Sequence, residues 1–255
     1  MRICIIGAGN LATQLSLALS LKGHQIVQVW SQTAQHASDL AKKLNCPSTN
    51  DSEKITDDAQ IYLIAIKDEA IVPYLNRHQW GDKLVVHTAG SIPMDAMETN
   101  CINFGVFYPF QTFSKNKKVD FDQIPICIEA SSPQNLEILN QLACSLSENI
   151  NFYNSDQRKQ IHLAAVFVNN FVNHFYAIGE EILAEKGIGF EILKPLILET
   201  AQKIITQDPQ SSQTGPAIRN DQIILNNQLE MLNNRPDLKK IYSLISTRII
   251  QTIKH

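Results

Sequence analysis

The hydrophobic pattern changes character once along the chain, near residue 153. Before that point, short apolar runs typical of strands alternate with segments in which apolar residues recur at helical spacing. The predicted strands are Arg2–Ile6, Gln25–Trp30, Ile61–Ile66, Lys83–His87, Phe104–Phe107 and Pro125–Glu129. Strands that alternate with helices predict a mostly parallel sheet with helices on both faces. We therefore expect an α/β domain over residues 1–153.

Helical segments complete this picture. Three are predicted among the strands: Asn10–Lys22, Thr33–Leu44 and Ser132–Leu146. Gly23 is suited to end the first, and Ser132 with Pro133 to begin the last. Beyond residue 154 strand signals stop, and four more helices are predicted: Asp156–Lys186, Glu191–Thr206, Ala217–Leu232 and Pro236–Lys254. Residues 154–255 are therefore expected to form an all-α domain.

Composition narrows the function classes. The 22 Lys and Arg against 25 Asp and Glu leave a net charge of −3, which argues against a nucleic-acid-binding or polybasic membrane-surface protein. No apolar stretch reaches the roughly 18 residues of a membrane span, and no signal peptide is expected before Arg2. The five cysteines form no C-x-x-C pair and no disulfide framework, so a reducing, cytoplasmic location is expected.

The strongest chemical signal is a glycine fingerprint after the first strand. Gly7 and Gly9, followed by Asn10, Leu11 and Ala12, match G-x-G-x-x-A between a strand and a helix. The first glycine permits a tight turn, and the second lets the backbone approach a pyrophosphate at the helix N-terminus. These residues predict a dinucleotide site; a purely structural glycine turn is the alternative.

The end of the second strand bears on which dinucleotide binds. An NAD enzyme usually places an acidic residue there for the ribose hydroxyls, but this chain has Ser31, Gln32 and Thr33. Ser31 and Thr33 could accommodate a 2′-phosphate, although an arginine would make the case firmer and Gln32 is not one. The sequence therefore favours NADP over NAD, with ordinary turn residues as the alternative.

Two further strand ends are expected at the same edge of the sheet. Ile66 and Lys67 lie at the end of one predicted strand, and His87, Thr88 and Gly90 lie at the end of the next. Ligands of open α/β sheets bind outside the carboxyl ends of the strands, so these residues join the predicted cofactor set. His87 could instead be a satisfied structural histidine. No metal site is predicted.

Candidate substrate residues lie elsewhere. His162, Asn169 and Asn173 fall on one stripe of the long helix, and Arg219 opens a later one. A solvated helix face and an ion pair of Arg219 with Asp221 or Glu199 are the structural alternatives. The segment 107–114 places four aromatic residues on a predicted loop, where they would cover either the cofactor cleft, the second domain or the core.

Several motifs together resemble one family. They are Gly7–Asn10, His87–Ser91, the segment 108–113, His162–Phe171 and Gly215–Asp221. The chain is similar over nearly its whole length to Rossmann-like proteins with a C-terminal domain called DUF2520, which are related to pyrroline-5-carboxylate reductase, coenzyme F420-dependent NADP oxidoreductases and the 6-phosphogluconate dehydrogenase superfamily. The resemblance implies an NADP-binding Rossmann domain and a helical domain that commonly dimerises, but it supplies no substrate.

One departure from the wider superfamily matters. Its β-hydroxyacid dehydrogenases carry a lysine four residues before an asparagine on the first long helix, but here Ala165 precedes Asn169 and Asn169 precedes Asn173 at that spacing. This puts a hydroxyacid dehydrogenase mechanism in doubt and leaves ketone or imine reduction open. Nothing specific indicates a deazaflavin site.

The leading hypothesis is an NADP-dependent oxidoreductase acting on a small carbonyl or imine substrate bound between the two domains. His162 would donate or relay a proton, Asn169 would orient the substrate, and Arg219 would bind an anionic group. The alternative is a non-catalytic dinucleotide-binding sensor or scaffold. Broad apolar faces on the later helices predict a homodimer through the helical domain.

Overall fold

A computed structural model describes residues 1–252 of the chain. The described chain forms two compact units, residues 1–173 and residues 174–252. The sheet ends at Phe152, close to the predicted domain boundary at 153/154, whereas the division by packing falls at 173/174. The two criteria divide the chain at different points, so the predicted domain boundary stays a prediction.

The first unit is built on one eight-stranded sheet in the order β3-β2-β1-β4-β5-β6-β7-β8. The strands are β1 (Arg2–Ile6), β2 (Gln25–Trp30), β3 (Ser48–Thr49), β4 (Ile61–Ile64), β5 (Leu84–His87), β6 (Asn103–Pro109), β7 (Ile126–Ala130) and β8 (Ile150–Phe152). Neighbouring strands are parallel except β6 and β7, which pair antiparallel. The α/β prediction with a mostly parallel sheet is confirmed.

Apolar side chains on both faces of the sheet explain why its strands are almost continuously hydrophobic. In β1, Ile3 and Ile5 belong to one buried cluster, and Cys4 and Ile6 belong to the other. This alternation follows from the two-residue period of a strand. A strand covered on both faces needs apolar residues at every position, as is typical of parallel sheets.

Helices of the first unit follow the predicted pattern, with one addition. They are α1 (Asn10–Leu21), α2 (Ala34–Leu44), α3 (Asp68–Leu75), α4 (Pro133–Cys144) and α5 (Ser155–Ala165). Gly23, at a φ of +85°, follows the end of α1, and the Ser132 side chain caps α4 by accepting from the Asn135 N–H at 3.2 Å. Both roles were predicted. The pattern missed α3, whose Pro73 and β-branched residues do not favour a helix.

The predicted helix Asp156–Lys186 is interrupted. A π-helical segment (Val166–Phe171) separates α5 from α6 (Val172–Ala184). Such segments are rare and occur frequently at functional sites. Helical periodicity alone did not predict the interruption.

The second unit is helical throughout its described elements. After α6 it contains α7 (Lys194–Thr206), α8 (Gln222–Met231) and α9 (Pro236–Thr252), with a 3₁₀ turn at Phe190–Leu193. The predicted start of α8 at Ala217 is wrong, because Asn220 has a φ of +51° and Asp221 caps the helix through the Ile224 N–H. The predicted end of α9, Lys254, lies outside the described residues. Within residues 1–252, no helix is both long and apolar enough to span a membrane.

Candidate functional site

A cavity of about 960 Å³ lies at the carboxyl ends of β1, β2, β4 and β5. This is the edge at which open α/β sheets bind ligands. The structure brings ten of the predicted cofactor residues to its lining: Gly7, Gly9, Asn10, Leu11, Ser31, Gln32, Thr33, Ile66, Lys67 and Thr88. The predicted His87 and Gly90 are not among its lining residues.

The glycine turn forms a cradle at one wall of the cavity. Gly7 has a φ of +129°, and a Cβ atom there would lie 2.2 Å from the Ala65 carbonyl oxygen. Gly9 is the N-cap of α1 and has an ordinary φ of −76°, and a Cβ atom there would meet no protein atom within 4 Å. The space in front of Gly9 and the free N–H groups of α1 therefore fit the pyrophosphate of a dinucleotide.

Positive charge dominates the cavity lining. Lys67, Arg77 and Lys115 line it, and Asp68 is the one carboxylate among its described lining residues. The Asp68 carboxylate accepts a hydrogen bond from the Ser91 hydroxyl. An excess of cationic side chains suits a polyanionic ligand such as a dinucleotide phosphate.

Lys115 reaches the cavity because its loop is fixed to α1. The Gln14 amide nitrogen donates to the carbonyl oxygens of Ser114 at 2.8 Å and Lys115 at 3.2 Å. Gln14 is buried, one turn after Asn10, so it holds this loop beside the glycine turn. The lysine cluster of the loop was visible in the sequence, but nothing local indicated which of its members would line the cavity.

Sequence reasoning also missed His36, Asn50, Ser52 and Arg77 as lining residues. Asn50 follows β3, the two-residue strand that pairs with β2, and the Ser31 N–H donates to the Thr49 carbonyl oxygen at 3.2 Å. Arg77 follows α3, the helix that the hydrophobic pattern did not predict. Both residues depend on elements too short or too irregular to be recognised from periodicity.

His87 is fully buried and does not reach the cavity surface. Its Nδ1 accepts from the Ala89 N–H at 3.2 Å. Burial, reinforced by the nearby Arg158 guanidinium and opposed by a backbone hydrogen bond at Pro93, lowers the pKa of His87 to about 3. The side chain is therefore neutral at physiological pH, as expected of a structural histidine.

Gly90 lies against a second predicted residue, His162. The Tyr108 hydroxyl lies 3.2 Å from His162 Nδ1. A Cβ atom on Gly90 would lie 2.7 Å from that same nitrogen and 2.7 Å from the Tyr108 ring. A residue without a side chain is needed here, so the backbone after β5, the end of β6 and α5 meet at this point.

The first turn of α5 is anchored by a buried ion pair. Arg158 is fully buried, and its guanidinium contacts the Glu129 carboxylate and donates to the Ile92 carbonyl oxygen at 2.6 Å. Glu129 also accepts from the Ser155 hydroxyl at 2.8 Å. His162 follows Arg158 by one helical turn, so this network fixes the position from which His162 projects.

The aromatic segment divides between core and site. Phe107, the last residue of the predicted strand Phe104–Phe107, belongs to β6 and is fully buried, whereas Tyr108 and Pro109 also belong to β6 and not to a loop as predicted. Phe113 stacks on Phe121 with ring centroids 5.7 Å apart, and Tyr108 packs edge-on against His162 at 6.2 Å. Core packing therefore explains Phe107 and Phe113, whereas Tyr108 adjoins a predicted site residue.

The two remaining predicted residues are exposed. Asn169 lies in the π-helical segment. Arg219 lies in a turn before α8, and within residues 174–252 no carboxylate is within ion-pair distance of it. Glu199 pairs instead with Lys203 at 3.2 Å, and Asp221 caps α8. The substrate roles of Asn169 and Arg219 stay predictions.

Two family models match this chain. A domain of unknown function, DUF2520, matches residues 124–249, and the family described as coenzyme F420-dependent NADP oxidoreductase matches residues 2–90. A search of curated proteins finds no match.

Among solved structures, a protein from Bacteroides fragilis provisionally assigned as an NADP oxidoreductase is 44% identical, with 98% of each chain covered and a TM-score of 0.92. An imine reductase from Myxococcus stipitatus in complex with NADP⁺ is 14% identical (100% of this chain, 94% of that chain, TM-score 0.71). A 1-pyrroline-5-carboxylate reductase from Streptococcus pyogenes is 15% identical (98% of each chain, TM-score 0.66). The last two likenesses show the fold alone.

Proposed function

Because this chain belongs to the family of Rossmann-type proteins with a DUF2520 domain, we propose that it is an NADP-dependent oxidoreductase acting on a small carbonyl or imine substrate. The observation that carries the proposal is the cavity at the carboxyl edge of the sheet. Its glycine cradle, helix N-terminus and cationic lining suit a nicotinamide dinucleotide.

Three groups of residues would hold the cofactor. Gly9 and the N-terminus of α1 would bind the pyrophosphate, with Lys115 adding a positive charge. Ser31 and Thr33, at the end of β2, would face the adenine ribose. Ile66 and Thr88, after β4 and β5, would line the path toward the nicotinamide, which when bound supplies or accepts the hydride.

His162 would supply or relay the proton that accompanies reduction of a C=O or C=N bond. Burial is the main cause that raises the pKa of Tyr108 to about 12, so the phenol stays protonated at neutral pH. Its O–H can then donate to His162 Nδ1, 3.2 Å away. A neutral His162 would in that case carry its own proton on Nε2, available to an acceptor.

The substrate class rests on chemistry and on likeness together. A carbonyl or imine needs one proton donor besides the cofactor, and the Tyr108–His162 pair offers one. Ala165 and Asn169 leave no lysine on the stripe where β-hydroxyacid dehydrogenases carry theirs. The imine reductase and pyrroline-carboxylate reductase that share the fold add weight to a C=N or C=O acceptor.

The test is a parallel titration of the purified protein with NADPH and NADH by nucleotide fluorescence. Ketones and cyclic imines are then screened with the tighter cofactor, with wild-type protein and the His162→Ala variant side by side. Tighter binding of NADPH and turnover that depends on His162 would support the proposal. Binding without turnover across the panel would favour the non-catalytic sensor or scaffold, and no binding of either dinucleotide would overturn both.

The proposal extends to the assembly. The helices of the second unit expose large apolar side chains, among them Leu196 (64% exposed), Ile205 (82%), Met231 (81%) and Leu244 (70%). Surfaces of this kind usually mark interfaces. We propose that a second copy of this chain covers them, so that the working protein is a homodimer.

A further inference from the structure

We infer that Arg77 binds the 2′-phosphate of NADPH and is the main residue by which this chain distinguishes NADPH from NADH. The inference rests on the proposed cofactor site and adds a specificity residue to it. Arg77 lies outside the segment after β2, where the sequence offers Ser31, Gln32 and Thr33 but no arginine. In the structure, an arginine side chain lines the cavity from the segment after α3 instead.

The position of Arg77 follows from the packing of α3 on β2. Tyr74 of α3 is buried, and its ring lies 4.7 Å, centroid to centroid, from the indole of Trp30, the last residue of β2. The Arg77 N–H donates to the Tyr74 carbonyl oxygen at 3.1 Å. Ser31 directly follows Trp30, and both Ser31 and Arg77 line the cavity. Arg77 therefore lines the cavity from the segment after α3, the helix that packs against the end of β2, where the adenine ribose is proposed to bind.

The charges around this wall leave Arg77 available to a ligand. The side chain is exposed, and among residues 1–252 no carboxylate lies within ion-pair distance of it. Apart from Asp68, the polar residues of the described lining are neutral or basic, among them Ser31, Thr33, His36, Asn50 and Ser52. Asp68, the acidic residue of the described lining, is engaged by the Ser91 hydroxyl. An unpaired guanidinium among hydroxyl and amide groups matches a phosphate monoester.

Two roles of Arg77 make different predictions about the two cofactors. An arginine that stacks on the adenine contacts a part that NADPH and NADH share, so its loss weakens both equally. An arginine that binds the 2′-phosphate contacts a group that NADH lacks. The packing of Tyr74 on Trp30 favours the second role, because Trp30 ends the strand whose carboxyl end faces the adenine ribose in dinucleotide folds.

The experiment measures Kd for NADPH and NADH by calorimetry in wild type, Arg77→Gln and Arg77→Lys. We expect Arg77→Gln to weaken NADPH by about 10- to 100-fold, the range for a lost charge-assisted contact, and to change NADH by less than about twofold. Arg77→Lys should fall between, because it keeps the charge and loses the planar fork. Lys43→Gln, an exposed lysine in the last turn of α2, is the matched charge control.

Adenosine 2′-monophosphate and adenosine 5′-monophosphate, used as competitors of NADPH, give a second readout without the nicotinamide. Only the 2′-isomer should lose affinity in Arg77→Gln. Equal weakening of both dinucleotides, or no change in either, would overturn the inference while leaving the proposed function standing. A wild-type protein that binds neither dinucleotide would instead overturn the proposed function itself. Circular dichroism melting of each variant checks that the exposed substitution leaves the fold intact.

Discussion

A Cβ atom on Gly7 would lie 2.2 Å from the carbonyl oxygen of Ala65, so the strand-to-helix turn accepts only glycine at this position. Two residues later the situation is reversed, because a Cβ atom on Gly9 would meet open space. One glycine of the fingerprint is therefore required by the fold, and the other is free to serve a ligand. This difference gives the first prediction.

Gly7→Ala should destabilise the protein by at least about 2 kcal/mol, because alanine at a φ of +129° is strained and would overlap the Ala65 backbone. Gly9→Ala should change the free energy of unfolding by less than about 1 kcal/mol, because a φ of −76° suits alanine while alanine is a poorer N-cap than glycine. Its methyl group should nevertheless weaken NADPH at least about tenfold. Urea unfolding measures the change in stability, and calorimetry measures the change in NADPH affinity. Tight NADPH binding by Gly9→Ala would contradict the proposal that the pyrophosphate binds at Gly9.

Lys115→Gln should weaken NADPH and NADH by the same factor, about 3- to 10-fold, because its charge would face phosphates that both cofactors carry. Lys117→Gln is the control, since Lys117 is exposed on the same loop and does not line the cavity. Gln14→Ala should reproduce the loss partly, because it removes the amide that fixes residues 114 and 115. A Lys115 effect confined to NADPH would place this lysine at the 2′-phosphate instead.

Tyr108→Phe should lower turnover about 10- to 100-fold without changing Kd for NADPH, because it removes the hydroxyl beside His162 Nδ1. The double variant with His162→Ala should be no slower than His162→Ala alone, since the two groups act as one unit. Ring ¹⁵N shifts of His162 provide a readout that does not depend on turnover. They should show the Nε2–H tautomer in wild type and a mixture of the two tautomers in Tyr108→Phe. Unchanged shifts would argue against a role of the Tyr108 hydroxyl in positioning the proton of His162.

His87 predicts a defined pH dependence of stability. Its pKa is about 3 in the folded protein and near 6.5 when exposed, so between those values only the unfolded state takes up the proton. The contribution of His87 is complete above pH 6.5 and is lost as pH falls from 6.5 toward 3, by up to about 1.4 kcal/mol per pH unit. Denaturant unfolding of wild type and His87→Asn between pH 7.5 and 5 tests this, because the wild-type curve should fall more steeply.

The dimer proposal predicts that light scattering at micromolar concentration gives twice the chain mass. Leu196→Glu should shift the protein toward monomer, because it places a charge on an exposed apolar face of α7. Leu21→Glu is the matched control, since Leu21 is 78% exposed on α1 in the first unit. A wild-type protein of monomer mass would end the proposal.

The sequence predicted those parts of the fold and site that depend on local pattern. The short apolar run of β1 and the glycines after it place the floor of the cavity, because strand, turn and the start of the helix follow one another within about a dozen residues. Tyr108 was assigned to a loop, whereas pairing with β7 extends the strand through Pro109.

The missed lining residues share a different cause. Lys115 reaches the cavity through hydrogen bonds from Gln14, about a hundred positions earlier, and Arg77 through a Tyr74–Trp30 contact that spans 44 positions. Neither contact leaves a mark in the periodicity of the chain, because both are set by tertiary packing.

The antiparallel pairing of β6 and β7 has a consequence for how this protein can diversify. Because β7 runs opposite to β6, the chain leaves the sheet after Pro109 and re-enters it at Ile126 on the same edge, the edge that carries the cavity. Residues 110–125 are therefore held at both ends on this edge of the sheet. The number of residues between those ends does not affect how β6 pairs with β7. Insertions and deletions around Lys115, the residue of this segment that lines the cavity, can change the shape of the site while every paired residue of the sheet keeps its partner.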